Sequence, residues 1–467
     1  MVQLSRPITL DSTLYDLYAE DNNAYAGDVA LVYALPSAEV QIHKSIPLSR
    51  KYTYQSPLSW ANDGDKLARM FLQVVPQMFG FIAGNLPLFM FDLDEMNIES
   101  YPHEAGLPEG IQKYREDAFD VMNQLESSQR PNLTFINSPS DILLAQNVKA
   151  AIISPIDCLT YLPLLVDPDG QYLIQSKRNL ATSAVSTPAS EVIDTHLRPG
   201  VVYDNHEIEG EVFRMVEPIQ GHALPFVVKM AQSLAGQGTF VVRSETARER
   251  AISVLTTALP QVLRQLDVSN ARLYPSSLVI QQFVYGEAVA LSLFVTRTGR
   301  SIFIGCSRQL IDAEGHWGGG FISYGDQDRL KHLHAGIADE LANYCHKHGY
   351  FGPIATDVMM SEDGHMLAID PNPRVGGSTP LGLLKTHFAV ERGMQEAAIF
   401  FPLLLKCSRG EFNKLFASEL QEGSVIVAGW CHDRLTNHSE TSIIVGAKTQ
   451  AELAELISRI NRYKIAE

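Results

Sequence analysis

The segment from Gly352 to Arg374, GPIATDVMMSEDGHMLAIDPNPR, constrains the fold of this chain more than any other. Asp363-Gly364 is a favoured two-residue turn with strand-like residues on both sides, so the segment predicts a β-hairpin. With that turn, strand pairing places Asp357 directly opposite Asp370 on one face of the hairpin. Asn372 points the same way, because side chains alternate along a strand.

Two carboxylates about 5 Å apart repel each other unless a cation lies between them. Oxygen ligands without His or Cys nearby favour Mg²⁺ over zinc, with Mn²⁺ as a possible substitute. Arg374 follows just beyond and would neutralise charge on a transferring phosphoryl group or a tetrahedral intermediate. The alternative is an ordinary surface hairpin with solvated acids. The alignment of Asp357, Asp370 and Asn372 with Arg374 favours the metal site over that alternative.

A second pattern, PFVVKMAQSLAGQGTFVV, runs from Pro225 to Val242. It predicts a buried strand that carries Lys229, then a loop of small residues that returns to another strand. Small residues let backbone N–H groups approach phosphates, and the lysine adds a point charge. The loop candidates for phosphate contacts are Ser233, Ala235, Gly236 and Gly238. A glycine-rich hairpin whose lysine extends to solvent is an equally compatible interpretation.

A third pattern, SSLVIQQFVYGEAVALSLFVTR, spans Ser276 to Arg297 and reads as two strands around Tyr285-Gly286-Glu287. Backbone groups near Phe283 and Val284 could pair with an adenine edge, with Gln281 or Gln282 beside it. Taken alone, the pattern favours a plain hairpin. The candidates for nucleotide contacts are Gln281, Gln282, Phe283 and Val284.

Apolar runs of strand length, at 30–35, 87–91 and 150–155, alternate with longer mixed segments in the first part of the chain. That rhythm predicts an α/β region. A polar connector follows at 181–191, and from Pro225 adjacent strands with short turns predict α+β structure. The sequence therefore predicts three units, at 1–180, 181–285 and 286–467.

Composition excludes several classes of protein. The formal net charge of -16 argues against a nucleic-acid partner, which would need clustered Lys and Arg. The most apolar stretch, Phe71 to Phe91, is interrupted by polar residues and prolines, so we expect no membrane partner. Five cysteines without a CxxC pair, and a start without a signal-peptide pattern, predict reduced thiols in a cytoplasmic protein.

The order of lysine loop, QQFVYGE, GGGFISYG and D…DPNPR resembles the ATP-grasp superfamily of carboxylate-amine ligases, across about residues 172 to 385. The resemblance implies a Rossmann-like N-terminal domain followed by a two-subdomain ATP-grasp fold. ATP would lie between two antiparallel sheets, with Lys177 and Lys229 on it and Glu287 as the acid for its ribose. Mg²⁺ would be held by Asp357, Asp370 and Asn372. The chain departs from the family's usual pattern at Asp370, where glutamate is common.

The same resemblance implies that the segment Cys306 to Phe321 covers the reaction centre. Arg374 and Arg308 would be catalytic, and the implied substrate contacts are Gly318, Gly319, Gly320, Ser378 and Thr379. The implied reaction activates a carboxylate as an acyl phosphate, releases ADP, and lets an amine displace phosphate to form an amide. The partners would be a small-molecule carboxylate, an amine and, in a homodimer, a second copy of the chain.

Two other functions are compatible with the sequence. An enzyme of the same fold could phosphorylate bicarbonate, as carboxylases do, although the chain shows no biotin-carrier lysine motif. A nucleotide-binding module without catalysis could serve regulation, although every presumed metal and arginine position is present.

Overall fold

The computed structural model of the protein describes residues 6–21, 26–34, 46–56, 68–92, 109–234, 236–311, 317–434 and 436–465. Strands in these residues form three sheets, of four, eight and four strands. The first sheet is parallel, and the other two are antiparallel. The expected combination of an α/β N-terminal region with an α+β remainder is confirmed.

The N-terminal sheet is built from short, largely apolar strands. In sheet order these are β3 (Asn132–Ile136), β2 (Pro87–Phe91), β1 (Val29–Val32) and β4 (Lys149–Ile152). The two central strands are almost wholly buried, which explains their continuous apolar sequences, because a parallel sheet is covered on both faces. The helices of this region are α1 (Leu14–Asp21), α2 (Val75–Gly80), α3 (Glu109–Met122) and α4 (Pro168–Gln175), with a π-helical turn at Met70–Val74 before α2.

Two consecutive caps turn the chain sharply as it leaves the N-terminal region. Asp167 starts α4 by accepting a hydrogen bond from Gly170 N, and Ser176 starts α5 (Lys177–Ala181) by accepting one from Asn179 N. Caps of this kind satisfy the first free N–H groups of a helix. The turn brings one face of α4 and the first residue of α5 towards the large sheet described below.

The small antiparallel sheet has its own core. Its order is β5 (Ser190–Asp194), β8 (Ser277–Gln282), β6 (Phe226–Met230) and β7 (Thr239–Val242). The helices α6 (Asn205–Gly221) and α7 (Glu245–Arg264) pack against it through buried side chains such as Met215, Val228 and Leu255. We call this unit the small lobe, residues 190–282.

The large antiparallel sheet contains the remaining strands. Its order is β13 (Met366–Asn372), β12 (Gly352–Met360), β9 (Val289–Val295), β10 (Ser301–Ile311), β11 (Trp317–Ser323), β14 (Glu396–Leu405), β16 (His438–Ala447) and β15 (Val425–Asp433). Its helices are α8 (Gln327–Leu333), α9 (Ala335–Lys347), α10 (Thr379–Gly382), α11 (Arg409–Leu415), α12 (Ala417–Glu422) and α13 (Gln450–Asn461), with a π-helical turn at Thr386–Val390. α9 covers one face, where Leu341 packs with Leu293 and Ile354.

The N-terminal region and the large sheet share one hydrophobic core. Met78 and Val121 belong to the same buried cluster as Trp430 and Ile444. Polar contacts join them as well, since Gln124 Nε2 donates to the carbonyl oxygen of Val427 at 2.7 Å. The two layers are therefore one packed body, whereas the small lobe is built around a separate cluster.

One predicted element differs from the structure. The QQFVYGE segment is not a hairpin, because β8 belongs to the small sheet and β9 to the large one. Residues 283–288 instead connect the two sheets. The apolar run at 400–406 lies mostly in β14. None of the helices in the described residues is long and apolar enough to cross a bilayer.

Candidate active site

The β12–β13 hairpin turns differently from the sequence prediction. Ser361 N donates to His365 O at 2.9 Å and Gly364 N donates to Ser361 O at 3.0 Å, so the loop holds three residues. Gly364 has a φ of 85°, the left-handed conformation that closes such loops and favours glycine. The predicted two-residue turn is therefore wrong by one residue.

A bulge at Ile369 restores the predicted pairing of the acids. Val358 pairs with Ala368, but Asp357 pairs with Asp370, so Ile369 has no partner on β12. One extra residue moves all later side chains of a strand to its other face. Without the bulge, the two carboxylates would lie on opposite faces. The predicted pair is confirmed, and it depends on two irregularities that offset each other.

The carboxylate of Asp357 is held by a neighbouring strand. Gln309 Nε2, on β10, donates to Asp357 Oδ1 at 2.8 Å. Burial of this carboxylate, followed by the negative charge of Asp370, raises the pKa of Asp357 to about 7. A divalent cation would offset the repulsion between the two carboxylates and lower the pKa of Asp357, because it favours the ionised form of both acids.

Arg308 lies on the wrong face of β10 for the catalytic role predicted for it. Cys306 packs into the core beneath α9, and Arg308 shares its face by strand alternation. Gln309 faces the other way and reaches Asp357, whereas the Arg308 side chain is exposed. The prediction for Arg308 is wrong because strand alternation assigns the site face to its neighbour.

Two lysines reach the acids from outside the large sheet. Lys229 Nζ, from β6 of the small lobe, donates to the carbonyl oxygen of the bulged Ile369 at 3.0 Å. Lys177 Nζ lies 3.0 Å from Asp370 Oδ1 and donates to Ser233 O at 2.8 Å. Burial lowers the pKa of Lys229 to about 8, and the charge of Asp370 opposes that shift. The structure thus brings both predicted lysines to the predicted carboxylates.

The loop between β6 and β7 lies beside these lysines. Ser233 is buried and forms a β-bridge with Gln55 of the N-terminal region. Gly236 and Gly238 have φ values of 77° and 68°, which only glycine adopts readily. Ala235 lies outside the described residues. Consecutive N–H groups in such loops can face one anion, so a phosphate-binding role for this loop stays a prediction.

Arg374 and Asn372 extend the site past the end of β13. Arg374 Nη1 is buried and has no hydrogen-bond partner among the described residues. Burial lowers the pKa of Arg374, while the nearby charge of Asp370 acts in the opposite direction. Asn372 Nδ2 donates to the backbone oxygen of Asp370 at 3.2 Å. Strand alternation places Asn372 on the face of the acids, as predicted.

The predicted nucleotide contacts near the connection between the lobes differ in whether they are free to meet a ligand. Gln281 is buried and its Nε2 donates to Ser190 Oγ at 3.1 Å, so its amide is committed to the protein and the predicted contact is not supported. A cavity of about 870 Å³ is lined by Gln282, Phe283 and Val284, by the linker 186–189 and by the hairpin tip. Glu287 is exposed. Roles in adenine or ribose binding stay predictions for these four residues.

The predicted substrate contacts on β11 differ in what they can do. A side chain at Gly319 would lie 2.0 Å from Ile399 O, so this glycine is required by packing inside the sheet. Gly320 lies close to Ser378, and a Cβ there would be 3.1 Å from the Ser378 Cβ. Gly318 has only Leu310 atoms near such a Cβ, at 3.8 Å or more. Contact of these three glycines with substrate stays a prediction, and packing alone already accounts for glycine at position 319.

Thr379 stabilises the loop that follows Arg374. Its Oγ1 accepts a hydrogen bond from Gly376 N at 3.0 Å and lies 3.0 Å from Ser292 Oγ. The ring of Trp317 packs so closely on Gly377 that a Cβ there would be 2.1 Å away. The Thr379 hydroxyl therefore fixes the loop, whereas Ser378 makes no side-chain hydrogen bond within the described part of the chain.

The donor set suits a hard cation with few protein ligands. Among the described residues, no group of three or more His, Cys, Asp or Glu side chains is placed to hold a metal. The predicted site offers two carboxylates, Asp357 and Asp370, and the amide of Asn372. Mg²⁺ is commonly held by one or two carboxylates together with phosphates of the substrate, so this set fits Mg²⁺ and not zinc.

Sequence reasoning missed two glutamines at this site. Gln309 could have been found, because placing Cys306 in the core assigns the next odd-numbered positions of β10 to the other face. Gln171, on α4, donates from Nε2 to Pro373 O at 3.0 Å, across 202 positions of sequence. No local pattern indicates that contact, because it depends on how α4 packs against the hairpin.

Fold and site together define a two-lobed α+β domain in which lysines from one side meet paired carboxylates of an antiparallel sheet. Residues 213–378 match the family model described as an ATP-grasp domain. The chain therefore contains an ATP-grasp domain. The match lies inside the range of the resemblance noted above and ends at Ser378. No curated protein sequence matches the chain.

Solved structures offer distant likenesses. N5-carboxyaminoimidazole synthetase from Staphylococcus aureus, complexed with ADP, is 10% identical, with 93% of this chain and 97% of that chain covered and a TM-score of 0.49. N5-carboxyaminoimidazole ribonucleotide synthetase from Thermus thermophilus is 15% identical, with coverage of 68% and 82% and a TM-score of 0.43. Phosphoribosylamine–glycine ligase from Thermotoga maritima is 14% identical, with coverage of 72% and 83% and a TM-score of 0.42. Likenesses this remote carry no inference about activity.

Proposed function

We propose that this protein is an ATP- and Mg²⁺-dependent ligase that activates a carboxylate as an acyl phosphate and joins it to an amine. The observation that carries the proposal is the meeting of Lys177 and Lys229 with the paired acids Asp357 and Asp370. With Arg374, three cations outnumber two carboxylates there. Such a balance favours a polyphosphate that arrives with a divalent cation.

Mg²⁺ would be held by Asp357, Asp370 and the side-chain oxygen of Asn372. When bound, it would offset the negative charge of the phosphates. Gln309 holds Asp357 Oδ1, which keeps that carboxylate aimed at the shared face. Lys229 reaches this face from the small lobe, where its Nζ donates to Ile369 O. The same side chain would therefore both hold the two lobes together and bind phosphate.

The proposed reaction has two steps. A carboxylate oxygen attacks the γ-phosphorus of ATP, the bond to the bridging oxygen breaks, and ADP leaves. An amine then attacks the acyl carbon, loses a proton, and displaces inorganic phosphate to give an amide. The task of Lys177, Lys229 and Arg374 is to position oxygens and stabilise charge that develops on them. The β6–β7 loop and Trp317 would keep water from the acyl phosphate.

Substrate contacts follow from the face that carries the acids. We propose that Ser378 contacts the carboxylate substrate, because it lies beside Gly320 and makes no side-chain hydrogen bond within the described residues. The adenine is proposed at Phe283 and Val284, whose backbone lines the cavity between the lobes. The amine of an amino acid is the proposed acceptor.

The test is a screen for ADP release in which pools of carboxylates and amines are combined with Mg²⁺ and ATP, and products are identified by mass. We expect ADP and phosphate with a new amide. Lys229→Met and Asp370→Asn should lower turnover by at least about a hundredfold, since each removes a charge that stabilises the transition state. Asp328→Asn, an exposed acid on α8, is the control and should match the wild type.

Each other outcome has a distinct meaning. AMP and pyrophosphate in place of ADP and phosphate would contradict the acyl-phosphate scheme. Turnover that needs bicarbonate would assign the carboxylase-like alternative. Tight ATP binding without turnover in any pool would indicate a non-catalytic nucleotide-binding module.

A further inference from the structure

Helix α4 places Gln171 beneath the end of the β12–β13 hairpin. Its Nε2 donates to Pro373 O and Ile152 O, each at 3.0 Å, and lies 3.3 Å from Ile153 O. The side chain is only 1% exposed. The side-chain amide of Gln171 thus joins the end of β4 to the backbone of Pro373, the residue between Asn372 and Arg374.

A small cavity of about 20 Å³ adjoins the same side chain. Gln171 and Arg374 line it together with Tyr18, Tyr33 and Tyr350. Gln171 Oε1 and Arg374 Nη1 are both buried, and neither has a hydrogen-bond partner among the described residues. Native proteins rarely leave buried polar atoms unpaired, so two such atoms beside one cavity indicate a ligand between them.

The chemistry of the two atoms defines that ligand. Arg374 Nη1 can only donate a hydrogen bond, and the side-chain oxygen of Gln171 can only accept one. The ligand must therefore accept and donate at once, which excludes a halide and an ammonium ion. A volume of about 20 Å³ holds a single water-sized molecule, and polar partners on two sides are what a buried water needs.

We infer that this cavity binds one ordered water, and that Gln171 is a positioning residue for Arg374. Gln171 holds Arg374 at two points. Its hydrogen bond to Pro373 O fixes the backbone next to Arg374, and the water joins its side-chain oxygen to the guanidinium group. The inference rests on the proposed function only for the role of Arg374 in charge stabilisation. A shift of about 1 Å in such a group can cost a hundredfold in rate.

A crystal structure of the wild-type chain, together with two matched variants, tests the inference. Gln171→Met removes both hydrogen-bonding ends at nearly constant volume. Gln77→Met is the control, because Gln77 is equally buried and its Nε2 donates to Trp430 O at 2.9 Å and Gln73 O at 3.1 Å, away from the acids.

The wild-type crystal should show a water between Arg374 Nη1 and Gln171 Oε1, and the Gln171→Met crystal should lack it. Both variants should unfold at similarly lowered temperatures. Only Gln171→Met should lower kcat for ADP release, by about tenfold, with KM for ATP unchanged within about twofold. If Gln171→Met does not fold, Gln171→Asn takes its place, because the shorter amide cannot span both contacts.

A wild-type crystal in which the cavity is empty, or holds a different molecule, would contradict the inferred water. Equal loss of kcat in the Gln171 and Gln77 variants would overturn the positioning role and leave a structural one. Failure of the proposed ligase function would show as absent turnover in the wild type, and the crystal would still decide whether the water is there.

Discussion

At the scale of single residues, His387 couples the stability of the fold to pH. Its imidazole is fully buried, Nε2 lies 2.9 Å from the carbonyl oxygen of Gly423, and Nδ1 is buried without a hydrogen-bond partner among the described residues. Burial, and to a lesser degree the charge of Arg392, lowers the pKa of His387 to about 4. Protonation would bury an unpaired N–H with a positive charge, so the native state binds this proton later than the unfolded state.

We predict that His387→Gln flattens the pH dependence of stability. The ordinary pKa of histidine is 6.5, and above that pH His387 contributes fully to the free energy of unfolding. This contribution is lost as the pH falls from 6.5 towards 4, because the unfolded state takes up the proton first. Between pH 7 and pH 5, the wild type should lose about 2 kcal/mol more than the variant in urea unfolding. His365→Gln, on the exposed hairpin tip, is the control, and identical profiles for all three proteins would contradict the assignment.

The sequence was sufficient for some site residues and insufficient for others. Asp357 and Asp370 were paired from strand alternation and a DG turn, and the pairing holds because the three-residue loop and the bulge at Ile369 offset each other. Arg308 was assigned to the site, and Gln309 missed, because the choice of face depends on which side of β10 meets α9. The hydrogen bonds of Gln171 could not be predicted, because they join segments that are distant in sequence.

At the scale of elements, the three-residue loop of the β12–β13 hairpin depends on one glycine. Gly364 is left-handed, whereas Gly210 lies inside α6 with ordinary helical geometry. A Cβ added at either position would meet no atom within 4 Å, so substitution changes backbone energy alone. The two glycines therefore form a matched pair.

We predict opposite effects of the same substitution at these two glycines. Gly364→Ala should lower the free energy of unfolding by roughly 1 kcal/mol, because a side chain disfavours the left-handed region. Gly210→Ala should raise it by roughly 0.5 to 1 kcal/mol, because glycine inside a helix costs backbone entropy. Guanidinium unfolding of both variants checks this, and a change of the same sign in both would show the loop assignment to be wrong.

Element types were easier to predict than their partners. The apolar runs of β1, β2 and β4 and the helical stretch of α7 are recognisable from periodicity. The assignment of β8 and β9 to different sheets was missed, since two strands separated by six residues normally pair with each other. The bulge at Ile369 has no local signal, because it depends on pairing with β12 and on the lysine that binds its carbonyl group.

At the scale of the whole molecule, a strap of residues 50–55 ties the N-terminal region to the small lobe. Asp157 fixes the start of the strap, accepting hydrogen bonds from the backbone N–H groups of Arg50, Lys51 and Tyr52 at 2.8 to 3.1 Å. At its other end, Gln55 N donates to Gln232 O at 2.8 Å. The strap thereby holds the start of the β6–β7 loop.

We predict that Asp157→Ala loosens that loop from a distance. Losing an ionised acceptor of three N–H groups should cost about 1 to 3 kcal/mol, and hydrogen exchange at 232–234 should become faster. Asp141→Ala is the control, because Asp141 also accepts backbone N–H groups, from Asn137 and Ser138, but lies outside the strap. Unchanged exchange at 232–234 in the Asp157 variant would contradict the coupling.

We propose the division into units at 1–180, 181–285 and 286–467, since each sheet falls within one of these ranges. The first and last ranges nevertheless share one core, which no local pattern in the sequence indicates. The small lobe, with its separate core, is the unit that the division describes best.

The shared core has a consequence for how this protein is made. Gln77 binds the backbone of Trp430, 353 positions later, and Gln124 binds that of Val427, 303 positions later. While the ribosome is still translating the intervening chain, the apolar side of α2 and α3 has no partner, and such surfaces promote aggregation. The N-terminal layer can finish folding only after β15 has left the exit tunnel. A polypeptide whose translation ends before that strand would therefore expose the apolar surface of α2 and α3 to solvent.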